Sequence, residues 1–231
     1  MTPVSGIMMD AREIVIVCGK KRIRGTLAIP DHPRGVVAFA HGSGSSRFSP
    51  RNQHVAGVLQ SRGLATLLID LLEEDEAEDR DCVFDIPRLV VRLQAAADWL
   101  GQEAQLRGLP LGYFGASTGA AAALAAAARH PQQIQAVVSR GGRPDLVWEV
   151  LPSVTVPTLL IVGGADDLVL ELNRDSFDHL GGPRELAVIP EATHLFPEPG
   201  ALDQVARLAC NWFLTYFGGA DQPHGEPRPL F

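Results

Sequence analysis

Residues 111–119 read Leu-Gly-Tyr-Phe-Gly-Ala-Ser-Thr-Gly, and an alanine-rich run, 120–128, follows at once. A short apolar strand therefore runs straight into a helix, with Ser117 at the junction in a Gly-x-Ser-x-Gly frame. Such a junction is a very sharp turn. The serine takes strained backbone angles, and its neighbours must be small for the chains to pass; Gly115 and Gly119 supply that room. The turn lifts the Ser117 hydroxyl above the sheet, at the positive end of the following helix. A histidine and an acid must then follow in the chain. With 23 glycines in the chain the frame also arises by chance, and the bland reading is an ordinary strand–helix turn of a Rossmann-like domain. The rest of the sequence has to decide.

Outward from this point, strands and helices alternate from residue 35 on. Gly35–Ala40 is a continuous apolar run, as in a strand buried on both faces. A loop, His41-Gly-Ser-Gly-Ser-Ser-Arg-Phe-Ser-Pro50, leads to a helix over about 51–62 and a buried strand over Leu64–Asp70. Asp85–Leu100 places Leu89, Leu93, Ala96 and Leu100 on one helical face. Strands follow at Ile134–Ser139, Thr158–Gly163 and Glu185–Ile189, with helices at about 169–180 and 201–217. Ahead of the alternation, Arg12–Cys18 and Arg22–Ile29 read as an antiparallel hairpin turning at Gly19-Lys20-Lys21. The expected class is α/β: a mostly parallel sheet with helices on both faces, led by the hairpin. One domain is expected over 12–217, with a leader at 1–11 and a Gly- and Pro-rich tail at 218–231. The connection 140–156 is too short for a separate helical cap. The acidic run 73–81, Glu-Glu-Asp-Glu-Ala-Glu-Asp-Arg-Asp, reads as a solvated loop.

Composition narrows the function classes. The chain has 231 residues, 46% of them hydrophobic, which is enough for a core. No run approaches a membrane span, and the start has no basic region followed by an apolar stretch. Cys18, Cys82 and Cys210 are widely spaced and odd in number, which suggests reduced thiols in the cytoplasm, with neither a disulfide framework nor metal spacing. A net charge of −7 argues against nucleic acid as a partner. It leaves a small-molecule substrate open and does not address oligomeric state.

Open α/β sheets bind ligands at the carboxyl ends of their strands. There the sequence sets His41-Gly42-Ser43-Gly44, Ser117, Arg140-Gly141-Gly142-Arg143, Gly164-Ala165-Asp166-Asp167 and Pro190-Glu191-Ala192-Thr193-His194. The order Ser…Asp…His matches this fold. Ser117 is the candidate nucleophile, His194 the base and Asp166 the group that sets the imidazole tautomer; Asp167 competes for that last role, but the turn after the strand favours Asp166. The backbone N–H groups of Ser43 and Thr118 are the candidate oxyanion donors. Of the other histidines, His41 braces the oxyanion loop or touches substrate, His130 reads as a helix C-cap and His179 as a surface residue. Arg140 and Arg143 hold a substrate carboxylate or phosphate, or else pair with Asp145 or the acidic loop. Arg47 and Arg51 are open to the same two readings.

On these stretches the chain resembles an α/β-hydrolase of the dienelactone hydrolase-like group. The resemblance rests on His41-Gly-Ser-Gly-Ser-Ser-Arg-Phe-Ser-Pro-Arg-Asn52, Gly115-Ala-Ser-Thr-Gly119, Ser139-Arg-Gly-Gly-Arg-Pro-Asp145, Val162-Gly-Gly-Ala-Asp166 and His194. It implies an eight-stranded sheet and a cytoplasmic hydrolase that needs no cofactor. Some members of the group are fused to a phosphoribosyltransferase domain, which is not expected in this chain. The best-known dienelactone hydrolases carry a cysteine nucleophile where this chain has Ser117, so the reading shifts from lactones towards carboxylic esters. The competing class is a non-catalytic ligand receptor or accessory partner of another enzyme; an intact serine, acid and histidine set argues for the esterase.

Overall fold

Eight strands form one sheet in the computed structural model, which describes residues 9–218. They are β1 (Met9–Cys18), β2 (Lys21–Pro30), β3 (Val36–Ala40), β4 (Ala65–Ile69), β5 (Leu111–Ala116), β6 (Ile134–Arg140), β7 (Thr158–Gly163) and β8 (Arg184–Ile189). Their order is β1-β2-β4-β3-β5-β6-β7-β8. The first two pairings, β1 with β2 and β2 with β4, are antiparallel, and every pairing from β4 to β8 is parallel. The chain steps outward from β3 to β4 and then returns to the other side of β3 with β5. The helices that follow β3 and β5 therefore leave towards opposite faces of the sheet, while the two loops meet at the same edge. These loops begin at His41 and Ser117.

The strands β3, β4, β5 and β7 are buried at every residue, because helices cover both faces. On one face α4 (Ile86–Gln102) and α5 (Thr118–Arg129) pack Leu93, Ala96, Leu100 and Leu124 against Leu67, Tyr113 and Val137. On the other, α1 (Pro50–Ser61) and α7 (Ala201–Phe217) pack Val55, Leu59, Val205 and Phe213 against Phe39, Phe114, Val138 and Ile161. Ala120–Ala127 are all buried: small side chains let α5 sit close behind the elbow. The connection from β6 to β7 is filled by a 3₁₀ segment, Pro144–Ser153, packed on α5 and on α6 (Asp167–Phe177).

Two expectations need correction. β1 begins at Met9, so residues 9–11 are strand and not leader; the expected leader over 1–8 and tail over 219–231 lie outside the described residues. The acidic run is mostly exposed, as expected, but it is not a loop. It forms two short helices, α2 (Glu74–Ala77) and α3 (Arg80–Val83), around Glu76, which is 8% exposed. The Arg92 guanidinium donates to both Glu76 oxygens at 2.6 and 2.7 Å and to the carbonyl of Leu71 at 2.7 Å. Those bonds hold the Glu76 carboxyl down at about 2, against burial. Arg92 projects from the buried side of α4, and this run carries in the carboxylate that it meets there.

Candidate active site

Ser117 sits in a constrained backbone conformation. It has φ 51° and ψ −121°, a conformation a side chain rarely adopts, and it precedes α5 directly. The flanking glycines are required by space. A Cβ on Gly115 would lie 2.4 Å from the Cα of Ala120, and one on Gly119 would lie 2.2 Å from the carbonyl oxygen of Ala40. The turn is pinned to β6 by two bonds: Ser117 N–H to the Arg140 carbonyl and Arg143 N–H to the Ser117 carbonyl, both 3.2 Å.

Asp166 ends the turn after β7. Its N–H donates to the carbonyl of Gly163 at 3.1 Å, and Ala165 N–H ties that turn to Ala192 in the loop after β8 at 2.9 Å. This link brings the two loops together. His194 Nδ1 and Asp166 Oδ2 are 2.7 Å apart, with the carboxylate 15% exposed. Asp167, the rival acid, is the first residue of α6 and points to solvent. Gly141, at φ 51°, lies flat against the imidazole: a Cβ there would be 3.4 Å from Cε1 and 3.5 Å from Nδ1 of His194. Sequence reading passed over this glycine, although its neighbours in Arg140-Gly-Gly-Arg143 mark a tight turn.

The two candidate oxyanion donors come together. The N–H of Ser43 donates to Thr118 Oγ1 at 3.1 Å, which draws the loop after β3 onto the start of α5. His41 is buried behind that loop. Its Nδ1 donates to the Gly42 carbonyl at 2.9 Å, and its Nε2 accepts from Leu71 N–H at 3.0 Å. These two bonds set a neutral tautomer, and burial pushes its pKa below the ordinary histidine value. Both ring nitrogens are spent on backbone, so His41 is a brace with no nitrogen left to hydrogen-bond a substrate. Leu71 in turn accepts from Arg92, so the loop is held through His41, Leu71, Arg92 and Glu76. The sequence offered only the apolar setting of α4 as a sign that Arg92 needed a partner.

The arginines divide. Arg143 makes a two-pronged pair with Asp145 at 2.8 and 2.7 Å, and Arg47 pairs with Asp70 and Glu13. Both are rim struts. Arg140 is 7% exposed, and no protein group accepts from its Nε or Nη1. Glu73, Asp75 and Glu76 are close enough for a metal ion, but Lys21 approaches all three and Arg92 holds Glu76. A cavity of about 960 Å³ opens beside the loop after β3, walled by Arg22, Arg24, Arg47, Phe48, Asp70 and Glu73. Among the described residues, no helix is long and apolar enough to cross a membrane.

Comparison with known proteins places this geometry. No protein-family model matches the chain. It is 52% identical to a crystallised dienelactone hydrolase from Anabaena variabilis, with a TM-score of 0.87 over 90% of this chain and 98% of that one. Est1E from Butyrivibrio proteoclasticus shares the fold at 16% identity, with a TM-score of 0.77 over 90% of this chain and 99% of that one. At 54% identity over 207 residues the chain also matches a protein of Mycobacterium tuberculosis named "Putative phosphoribosyl transferase". That match covers 90% of this chain and 47% of the relative, so the chain spans about half the length of the curated relatives it matches.

Proposed function

The chain belongs to the dienelactone hydrolase-like group of α/β-hydrolases, and from that membership we propose that it hydrolyses carboxylic esters of small molecules through an acyl-serine. The observation that carries the reading is the strained elbow at Ser117 set on the same sheet edge as the His194–Asp166 pair. A surface serine has no use for such backbone angles, and a binding module has no use for a histidine oriented by a carboxylate.

In this reading Ser117 Oγ attacks the ester carbonyl while His194 Nε2 takes its proton. Asp166 keeps the Nδ1 proton in place and stabilises the imidazolium. The carbonyl oxygen becomes an oxyanion held by the N–H groups of Thr118 and Ser43. Ser43 N–H, which donates to the Thr118 hydroxyl in the free protein, exchanges that acceptor for the oxyanion. Collapse of the intermediate expels the alcohol, protonated by His194, and leaves the acyl group on Ser117. Water activated by His194 then releases the acid.

The test is covalent. A fluorophosphonate probe should label the parent at Ser117 alone. Folded Ser117→Ala should lose labelling and at least about 10⁴-fold in ester turnover, the scale of serine-triad deletions. Unchanged turnover in that variant refutes the mechanism. An unlabelled, inactive parent favours a ligand-binding member of the fold.

A further inference from the structure

Two guanidinium groups on one side of the catalytic edge have no acid to meet. Arg140 ends β6 two residues after Val138, so it leaves the sheet on the α1 and α7 face. It is more than nine-tenths buried, and its Nε and Nη1 have neither water access nor a protein acceptor. Arg51, the second residue of α1, has its Nε buried in the same unpartnered state. Neither arginine forms an ion pair among the described residues. Burial, and after it the positive charge of Arg51, holds the Arg140 pKa down at about 10. By contrast Arg143, Arg47, Arg88 and Arg92 all have carboxylates.

A buried cation with no counter-ion, beside a second cation and the positive end of a twelve-residue helix, is costly unless an anion completes it. The place is next to the chemistry. The Arg140 carbonyl receives the Ser117 N–H, and the Arg140 guanidinium lies 5.9 Å from the ring of Phe196, two residues past His194. The charge count sets the ligand. One carboxylate balances one guanidinium and leaves the other bare. A phosphate monoester, close to doubly negative at neutral pH, balances both, and its oxygens match the forked donors. The amides of α1 contribute little: Pro50 has none, and that of Asn52 is directed at the Ser49 hydroxyl.

We propose that Arg51 and Arg140 form a phosphate-binding subsite, so that the ester presented to Ser117 carries a phosphate group. The substrate half of this rests on the serine hydrolase reading; the anion site does not.

Calorimetric titration with inorganic phosphate and with acetate tests the site without turnover. Phosphate should bind the parent about tenfold or more tightly than acetate. Arg140→Gln and Arg51→Gln should each weaken phosphate by about tenfold or more, the scale of one charge-assisted hydrogen bond. Arg143→Gln, whose parent side chain is already paired, should stay within about twofold. Arg51→Gln removes a partly exposed group and decides the matter if Arg140→Gln does not fold. No phosphate binding, equal binding of acetate, or full affinity in Arg51→Gln overturns the subsite. Fluorophosphonate labelling of the same samples separates the two readings. Labelled protein blind to phosphate refutes the subsite alone, and unlabelled protein that binds phosphate through both arginines upholds the subsite while the hydrolase reading fails.

Discussion

Replacing Glu76 by glutamine removes one negative charge from a buried cluster and keeps the side-chain volume. Glu76 and Arg92 are 10% and 7% exposed, so water screens the pair little. The folded protein holds the Glu76 carboxyl at about 2, against an ordinary 4.5. A carboxyl whose folded pKa lies below its unfolded one stabilises the fold fully above the unfolded value, and that contribution is lost as pH falls towards the folded value. Between 4.5 and about 2 it amounts to about 3 kcal/mol at pH 7. The same two values leave about 2 kcal/mol at pH 3.5. Stranding the Arg92 charge by truncating its partner falls in the same range, about 3–5 kcal/mol. Urea unfolding followed by the fluorescence of the three tryptophans should therefore show Glu76→Gln about 3 kcal/mol less stable than the parent at pH 7. The gap should narrow by about 1 kcal/mol at pH 3.5. A variant as stable as the parent at pH 7, or a gap that does not change with pH, would refute the assignment of Glu76 as the counter-charge of Arg92.

Asp166→Asn should lower kcat/KM by about 10⁴-fold, because the histidine loses its tautomer control. Asp167→Asn, at the exposed start of α6, should stay within a few-fold, and steady-state kinetics on a short ester that showed the reverse would move the acid by one residue. Gly119→Ala should cost at least about 1–3 kcal/mol in thermal or urea unfolding, since its Cβ would stand 2.2 and 2.5 Å from the carbonyl oxygens of Ala40 and His41. Gly57→Ala, within α1 and with nothing in its way, should instead stabilise by about 0.5–1 kcal/mol in the same assay.

Much of the candidate site was legible because its parts are local. The elbow needs small residues at Gly115 and Gly119 whatever surrounds it, and the run from an apolar strand to an alanine-rich helix carries its own period. The order of Ser117, Asp166 and His194 follows from strands whose ends share one edge. Other features were not legible, because they depend on which segments meet across the sheet. The four consecutive acidic residues Glu73–Glu76 look alike until α4 brings Arg92 against Glu76 and makes it a buried hub. His41 reads as a brace, with substrate contact left open, until Leu71 arrives from the turn after β4 and takes its second nitrogen. Arg140 and Arg143 flank the same two glycines, and nothing in their spacing ranks them. By itself, then, the sequence determined the elbow, the strand order along the chain and the identity of the chemical groups, since each depends on near neighbours and backbone sterics. Only the tertiary structure decided which charges are paired and which are left bare: Arg143 meets Asp145 and Arg92 meets Glu76, while Arg140 is buried with no carboxylate partner among the described residues. Pairs such as Glu76 with Arg92 depend on contacts between separate elements, and burial then sets how much each missing partner costs.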